Sequence, residues 1–553
     1  MEKRLLVAAG LSLLVLLAWE WLVPKPPKPP AALSPTPVSA ATTTTTTAAT
    51  GSAASSQAPS APALSAPAAL PPPASAPAEE TVRIGNDLFT ATFSNRGGVL
   101  TSFVLAKYQD EKNRPLDLVR ALPPEFPRPL GLDFGRDAAA TKAVSNALFV
   151  VEKESDRVLR LRYADATIAI EKEIKIGSGY VFDVRVNVAG APYDVLIGPG
   201  LRNPPDDEKK SRYVMPASAV VASADGLKLV RPEKAKAGES WTLPAKAFAG
   251  IEDSYFLEAL IPSSPATARL FTFAEPHADG KPVQELATGI SGQGPFSASA
   301  YFGPKEVATL DSYGLGLERT IDFGWYGILA RPLLWMMKKS YAVVPNWGVA
   351  ILVVTFIIRL LLFPLTAKSY TSMKKMQKLA PKMNAIRDKY KKAKTDAAQR
   401  TKMNAELMEL YQKEGYNPMS GCLPVLLQLP VLVAFYNVLS KTIELRHAPF
   451  VFWIKDLSAI DHTYVLVILM IASMYAQQAM TPSTMDPAQK KIFMFMPVLW
   501  GFFLKDMPSG LVLYWLFSNL LTIVQQLVMN KIVKEDDPAP PAKGAKALKQ
   551  ARA

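Results

Sequence analysis

The chain has 553 residues, 49% of them hydrophobic, and a formal net charge of +14; its mean hydropathy is positive. That length leaves room for two or more domains, and the hydropathy argues against a wholly soluble protein. The single cysteine, Cys422, lies in an apolar run and excludes both an internal disulfide framework and a cysteine-based metal site. The positive charge fits nucleic acid, anionic lipid or the ribosome until the basic residues are located along the chain.

Residues 1–23 open with Lys3 and Arg4 and continue as an apolar stretch. Trp19, Glu20 and Trp21 stand where a signal-peptide cleavage site needs small residues, so the segment reads as an uncleaved transmembrane anchor. Residues 24–80 are almost entirely Pro, Ala, Ser and Thr, too poor in apolar side chains to fold, and read as a disordered tether. From 81 to 322 the texture becomes short alternating runs such as "TVRIGNDLFTATFS" and "YVFDVRVNVAG", which predict a β-sandwich of many short strands without intervening helices. Residues 323–342 mix Trp, Leu and Met with Arg331, Lys338 and Lys339, the pattern of an amphipathic helix lying in a membrane interface.

Five more apolar stretches follow, at 346–366, 421–440, 463–480, 491–505 and 511–530, each read as a span; "LKDMPSG" breaks the last two apart. The segment 367–420 between the second and third spans carries Lys374, Lys375, Lys378, Lys382, Lys389, Lys391 and Lys392. It is therefore cytoplasmic by the positive-inside rule, and counting back puts the β-domain outside and Lys3 and Arg4 inside. Two apolar stripes at helical spacing, Met373 to Ile386 and Met403 to Tyr411, flank a polar turn and predict an antiparallel helical hairpin. The remaining connections are an outer loop at 441–462, a cytoplasmic loop at 481–490 and a basic cytoplasmic tail at 531–553. The fifth span is short, and Pro418, Pro424 and Pro430 mark the start of the third; together they suggest a locally thinned bilayer.

Within "TFIIRLLLFPL" of the second span, Arg359 places a cation at membrane depth, where it costs at least ~2.5–3.5 kcal/mol. No span offers an acidic residue at comparable depth. Arg359 could snorkel to the inner headgroups. The alternative is a water-filled cavity open to the cytoplasm, with Thr355 one turn away on the same helix face. Tyr514, Ser518, Thr522 and Gln525 form a polar stripe on the last span, Ser473 and Gln477 another on the fourth, and Gln428 lies on the third. With an unpaired arginine, these stripes point to a shared hydrophilic groove.

The motifs "NWGVAILVVTFIIRLLLFPLTAKSYTSMKKMQKLAPKM", "YNPMSGCLPVLLQLPVLVAFYNVL", "ELRHAPFVFWIKDLSA" and "FMPVLWGFFLKDMPSGLVLYWLFSNLLTIVQQ" resemble the YidC membrane-protein insertase family. The anchor, tether and β-domain with "NRGGVL" resemble its Gram-negative form. The resemblance implies a polytopic α-helical membrane protein of six spans, with a five-helix insertase core, a hydrophilic groove and a periplasmic β-sandwich of supersandwich type. It implies an insertase and chaperone in the bacterial inner membrane, both termini cytoplasmic, working alone or with the Sec translocon on nascent inner-membrane proteins without a cofactor. Arg359 would then receive polar or acidic client segments, the basic hairpin would recruit clients, and Lys543, Lys546, Lys549 and Arg552 of the tail would meet the ribosome. Many members carry a second tyrosine where this chain has Trp515 beside Tyr514. With the basic residues assigned to lipid, client and ribosome contact, no specific nucleic-acid recognition is expected.

A secondary transporter would also suit a buried charge and broken helices, but the spans show no inverted repeat and no intramembrane acid to couple protons or sodium. An anchored carbohydrate enzyme is disfavoured because the β-domain holds only His277 and no clear His/carboxylate constellation.

Overall fold

Period-two alternation builds the β-rich region strand by strand. In Val181–Ala189, Phe182, Val184, Val186 and Val188 are buried while Asp183, Arg185 and Asn187 face out, so one side of the strand belongs to the core. Nine strands join in one antiparallel sheet, in the order Gly226–Val230, Ser218–Ser223, Ala249–Glu252, Phe256–Pro262, Pro295–Pro304, Val181–Ala189, Ala169–Ile176, Val158–Ala164 and Val150–Ser155. Ser218–Ser223 and Phe256–Pro262 are buried along their whole length. A five-stranded sheet centred on Val283–Gly292 and a four-stranded sheet spanning 81–117 complete the β-structure. Phe103 of the four-stranded sheet lies 6.0 Å from Phe182 and 5.3 Å from Phe302 of the large one, ring centre to ring centre. Aromatic packing therefore welds the two sheets.

This computed structural model describes residues 72–205, 214–276, 282–292, 294–390, 396–415, 423–481 and 487–532. These residues fall within one compact unit, Ala69–Ala553. The expected anchor at 1–23, most of the tether, His277, Lys391, Lys392, Cys422 and the tail residues Lys543, Lys546, Lys549 and Arg552 lie outside them. The last residues of the expected tether are docked: Ala74 exchanges two backbone hydrogen bonds of 2.9 Å with Ala164, and the Glu80 amide donates to Asn95 Oδ1.

"NRGGVL" forms a turn in which Gly97 and Gly98 take φ of +70° and +57°, a region that disfavours side chains. The turn aims the Gly97 and Gly98 carbonyls inward, where they accept hydrogen bonds of 3.0 and 2.8 Å from Lys172 Nζ; Leu130 O accepts a third at 2.9 Å. Contrary to the expectation of strands alone, helix α1, Ala138–Asn146, interrupts them. The Asp137 carboxylate accepts from the Ala140 amide at 2.8 Å and caps it, followed by the helix-favouring run "AAATKAV".

Helix α2, Val307–Ser312, closes the β-rich region, and α3, Gly327–Val343, leads into the helical part. It buries Ala330, Leu333, Leu334 and Met337 while Trp325 just before it, Ile328 and Trp335 stay exposed. Next come α4 (Trp347–Lys378), α5 (Ala380–Lys389), α6 (Ala397–Lys413), α7 (Leu423–Lys441), α8 (Val465–Met480), α9 (Pro487–Leu504) and α10 (Ser509–Ile532). Gly348 lies so close to the Phe450 ring that a Cβ there would overlap it, which fixes the start of α4 against the loop after α7.

Two boundaries differ from the sequence reading. Helix α4 continues well past 366, so Met373 and Met376 ride on it and the hairpin proper starts at α5; the break falls at Leu379, where Pro381 opens the new helix. Helix α9 starts at Pro487, not 491, and its 18 residues span ~27 Å. Among the described residues two helices, α4 and α10, are long and apolar enough to cross a membrane, while Leu426–Lys441 and α8 are shorter apolar helices. Leu360 and Leu361 of α4, Phe495 and Phe502 of α9 and Val524 of α10 are more than half exposed, an apolar surface suited to lipid.

Candidate functional site

Helix α4 packs against α3 and α10, α10 against α8, and α8 against α9; α7 packs against α3 and touches α4 and α10. Where α4, α7 and α10 meet, spacing decides which side chains converge. Thr355, Ile358, Arg359 and Leu362 share one face of α4, Gln428 and Val431 one face of α7, and Tyr514 and Ser518 one face of α10. These eight residues line a small cavity that contains no carboxylate.

Ser518 is the hub. Its Oγ accepts from Arg359 Nε at 3.2 Å, from the Arg359 Nη2 group and from Gln428 Nε2 at 2.9 Å. Gln428 Nε2 also donates to the Tyr514 hydroxyl at 2.9 Å, and the Tyr514 ring stacks on Phe435 with centres 4.3 Å apart. Ser518 is 2% exposed, so neutral hydroxyl and amide groups replace much of the water around the guanidinium. The void beside them measures about 10 Å³, room for about one water. The sequence reading expects a wider water-filled cavity; here the polar groups close on one another.

Thr355 lines the cavity but spends its hydroxyl on the Ile351 carbonyl, 2.6 Å away. Thr522 likewise donates to its own helix, at Ser518 O, and Gln525 bonds Thr366 below the cavity. Ser473 is not brought to Arg359: it is buried in the α8–α10 seam, where Asn519 Nδ2 donates to it at 3.0 Å. Gln477, on the same helix, is half-buried and does not line the cavity. Trp515 points away from Tyr514 and packs on Trp500 of α9, ring centres 5.2 Å apart. The single groove expected from all the polar stripes is thus two polar seams. Asn519 was missed, although its seven-residue spacing to Gln526, which bonds Thr481 of the same seam at 3.0 Å, marks a second face of α10. Ile358, Leu362 and Val431 were missed because apolar lining carries no signal beyond its spacing.

Of the basic residues singled out, Lys374, Lys375 and Lys378 lie on the last turns of α4, while Lys382 and Lys389 lie on α5. Lys382 pairs with Glu414 at 2.6 Å and Lys389 with Glu406 at 2.9 Å, but each lysine remains 61% exposed. Exposed pairs of this kind are screened by solvent and contribute little, so they hold the hairpin together loosely. Met383 is buried between α5 and α6 beneath the Tyr411 hydroxyl.

Residues 339–536 match the family model described as 60Kd inner membrane protein, and residues 81–336 match the one described as YidC periplasmic domain. Together they define the class: an inner-membrane protein with a periplasmic domain. The chain is 37% identical over 547 residues to the membrane protein insertase YidC of Geobacter sulfurreducens, covering 96% of this chain and 99% of that one. The counterpart of Geobacter metallireducens is 35% identical over 553 residues, with 96% and 99% coverage. A crystal structure of an active YidC insertase with its first transmembrane domain resolved shares 20% identity, covers 82% of this chain and 94% of that one, and gives a TM-score of 0.36. The chain belongs to the YidC family of membrane-protein insertases.

Proposed function

We propose that the cavity between α4, α7 and α10 is where this insertase receives the polar or acidic segment of a nascent inner-membrane protein. The observation that carries this reading is Arg359 held by Ser518 in a cavity lined without a carboxylate, its Ser518 shared with Gln428. A cation whose partners are neutral keeps most of its charge available to an incoming anion, and the low local dielectric strengthens the attraction. Because the void is about 10 Å³, a client segment must first part α7 from α10 and displace Gln428 from Ser518. The client's apolar span meanwhile moves into lipid, at ~25 cal/mol per Å² of apolar area removed from water.

The surrounding assignments belong to the same reading. Six spans, counting the anchor at 1–23, place the β-sandwich of supersandwich type in the periplasm and both termini in the cytoplasm. The α5–α6 hairpin recruits clients through its exposed lysines, the basic tail meets the ribosome, α3 lies in the outer interface, and the Sec translocon can hand over clients. No enzymatic step is assigned. The test is contact: an arrested client with a photo-activatable residue in its acidic tail is expected to label α7 and α10 near Gln428 and Tyr514. Labelling confined to lipid-facing positions such as Leu361 and Phe495 would contradict the reading.

A further inference from the structure

A second polar site lies far from Arg359, where the β-rich region meets the loop between α7 and α8. Glu111, in the turn after strand Val99–Gln109, faces His447 and Asp456 of that loop; one ligand-type atom from each lies within 4.8 Å of the others. They border a cavity of about 460 Å³. We propose that Glu111, His447 and Asp456 bind one divalent transition-metal cation, with Zn²⁺ the best match, and that the ion latches the β-rich region to the α7–α8 loop.

The distances support a three-ligand centre. His447 Nε2 lies 2.8 Å from Glu111 Oε2 and 3.9 Å from Asp456 Oδ2. Tetrahedral ligands ~2.0–2.1 Å from Zn²⁺ sit about 3.3–3.4 Å apart. The two separations from the imidazole bracket that edge, and the ligand atoms all lie within 4.8 Å of one another; side-chain shifts of up to about 1.4 Å bring all three onto one ion, and the cavity leaves room for a water as fourth ligand.

The orientation of the carboxylates is a separate observation. Glu111 Oε1 pairs with Arg446 Nη2 at 3.0 Å, while Oε2 faces the imidazole. Asp456 Oδ1 accepts from the Ser458 amide at 2.8 Å and its hydroxyl at 2.7 Å, while Oδ2 faces the imidazole. Each carboxylate thus has one oxygen tied to a supporting donor and the other turned to the same point, as outer-shell partners orient metal ligands. The side chains of Glu111, His447 and Asp456 are 40%, 29% and 19% exposed, which leaves the ion a path in. One nitrogen and two oxygen donors suit Zn²⁺ better than Mg²⁺, which prefers an all-oxygen octahedron.

The test uses the full-length protein in detergent, purified without a histidine tag and stripped with chelator, and Zn²⁺ as the probe. The chain has only three histidines and one cysteine, so background sites are few. Calorimetric titration is expected to show one Zn²⁺ per chain, with the melting temperature rising on binding. His447→Ala and Asp456→Asn are expected to weaken binding at least tenfold and to abolish the melting shift while melting cooperatively without metal. Asp456→Asn keeps an oxygen for Ser458, so its loss reports on the ligand. Wild-type protein that takes up no stoichiometric Zn²⁺, or uptake undiminished in both variants, would leave the triad as an ordinary hydrogen-bonded ion cluster and overturn the proposal.

Discussion

Replacing Lys172 with methionine is expected to destabilise the β-rich region by at least ~3 kcal/mol, because three inward carbonyls lose their donor and each orphaned buried polar group costs ~1–3 kcal/mol. Lys172 is 1% exposed and its Nζ is the common partner of the Gly97, Gly98 and Leu130 carbonyls. The melting temperature should fall by about 6–12 °C. Burial pushes the Lys172 amine down to about 7 from its ordinary 10.5. Above about 7 the unfolded chain keeps a proton that the folded chain has released, so this group's contribution to stability rises with pH up to 10.5 and is lost as pH falls through about 7. Thermal melts across that window should show the rise in the wild type and a flatter profile in Lys172→Met. Equal slopes would mean that Lys172 titrates alike in both states.

The second large effect is on insertion. Arg359→Ala is expected to slow insertion of a single-span client with a short acidic tail by tenfold or more, while Arg359→Lys retains most activity. Two unit charges 4 Å apart attract by ~1 kcal/mol in water and ~4 kcal/mol at an effective dielectric of 20. A factor of ten corresponds to ~1.4 kcal/mol, so even a partly hydrated pocket suffices. Lysine keeps the charge but lacks the planar fork that lets Nε and Nη2 both reach Ser518. A client with a neutral tail should lose little in either variant. Rates of proteoliposome insertion, compared at equal protein, check all four combinations.

The helices, the β-rich region and the unusual position of Arg359 were legible because each is written in a local pattern: apolar length, period-two alternation, a charge in an apolar run. Helix α1 was not, since one short helix is hidden among strands until Asp137 is recognised as its cap. Nor were the end of α4 and the start of α9, where the helix runs on beyond the apolar stretch. At the site, Arg359, Gln428, Tyr514 and Ser518 could be grouped by charge and spacing. Ser473 and Trp515 could not be separated from them, because polar and aromatic side chains point at a neighbour only once the helix rotation is set. Ser473 turns to Asn519, and Trp515, one residue from Tyr514, turns to Trp500. The Glu111, His447 and Asp456 cluster joins positions more than three hundred residues apart, which no local pattern links.

The central claim is that charge at position 359 selects the client's tail. Its most direct measurement is the ratio of insertion rates for two clients that differ only in tail charge, one aspartate-bearing and one lysine-bearing, in wild type and Arg359→Glu. Electrostatic reception predicts that the ratio falls at least tenfold in Arg359→Glu, toward the lysine-bearing client. An unchanged ratio in stably expressed Arg359→Glu protein would contradict it and leave Arg359 as a membrane anchor.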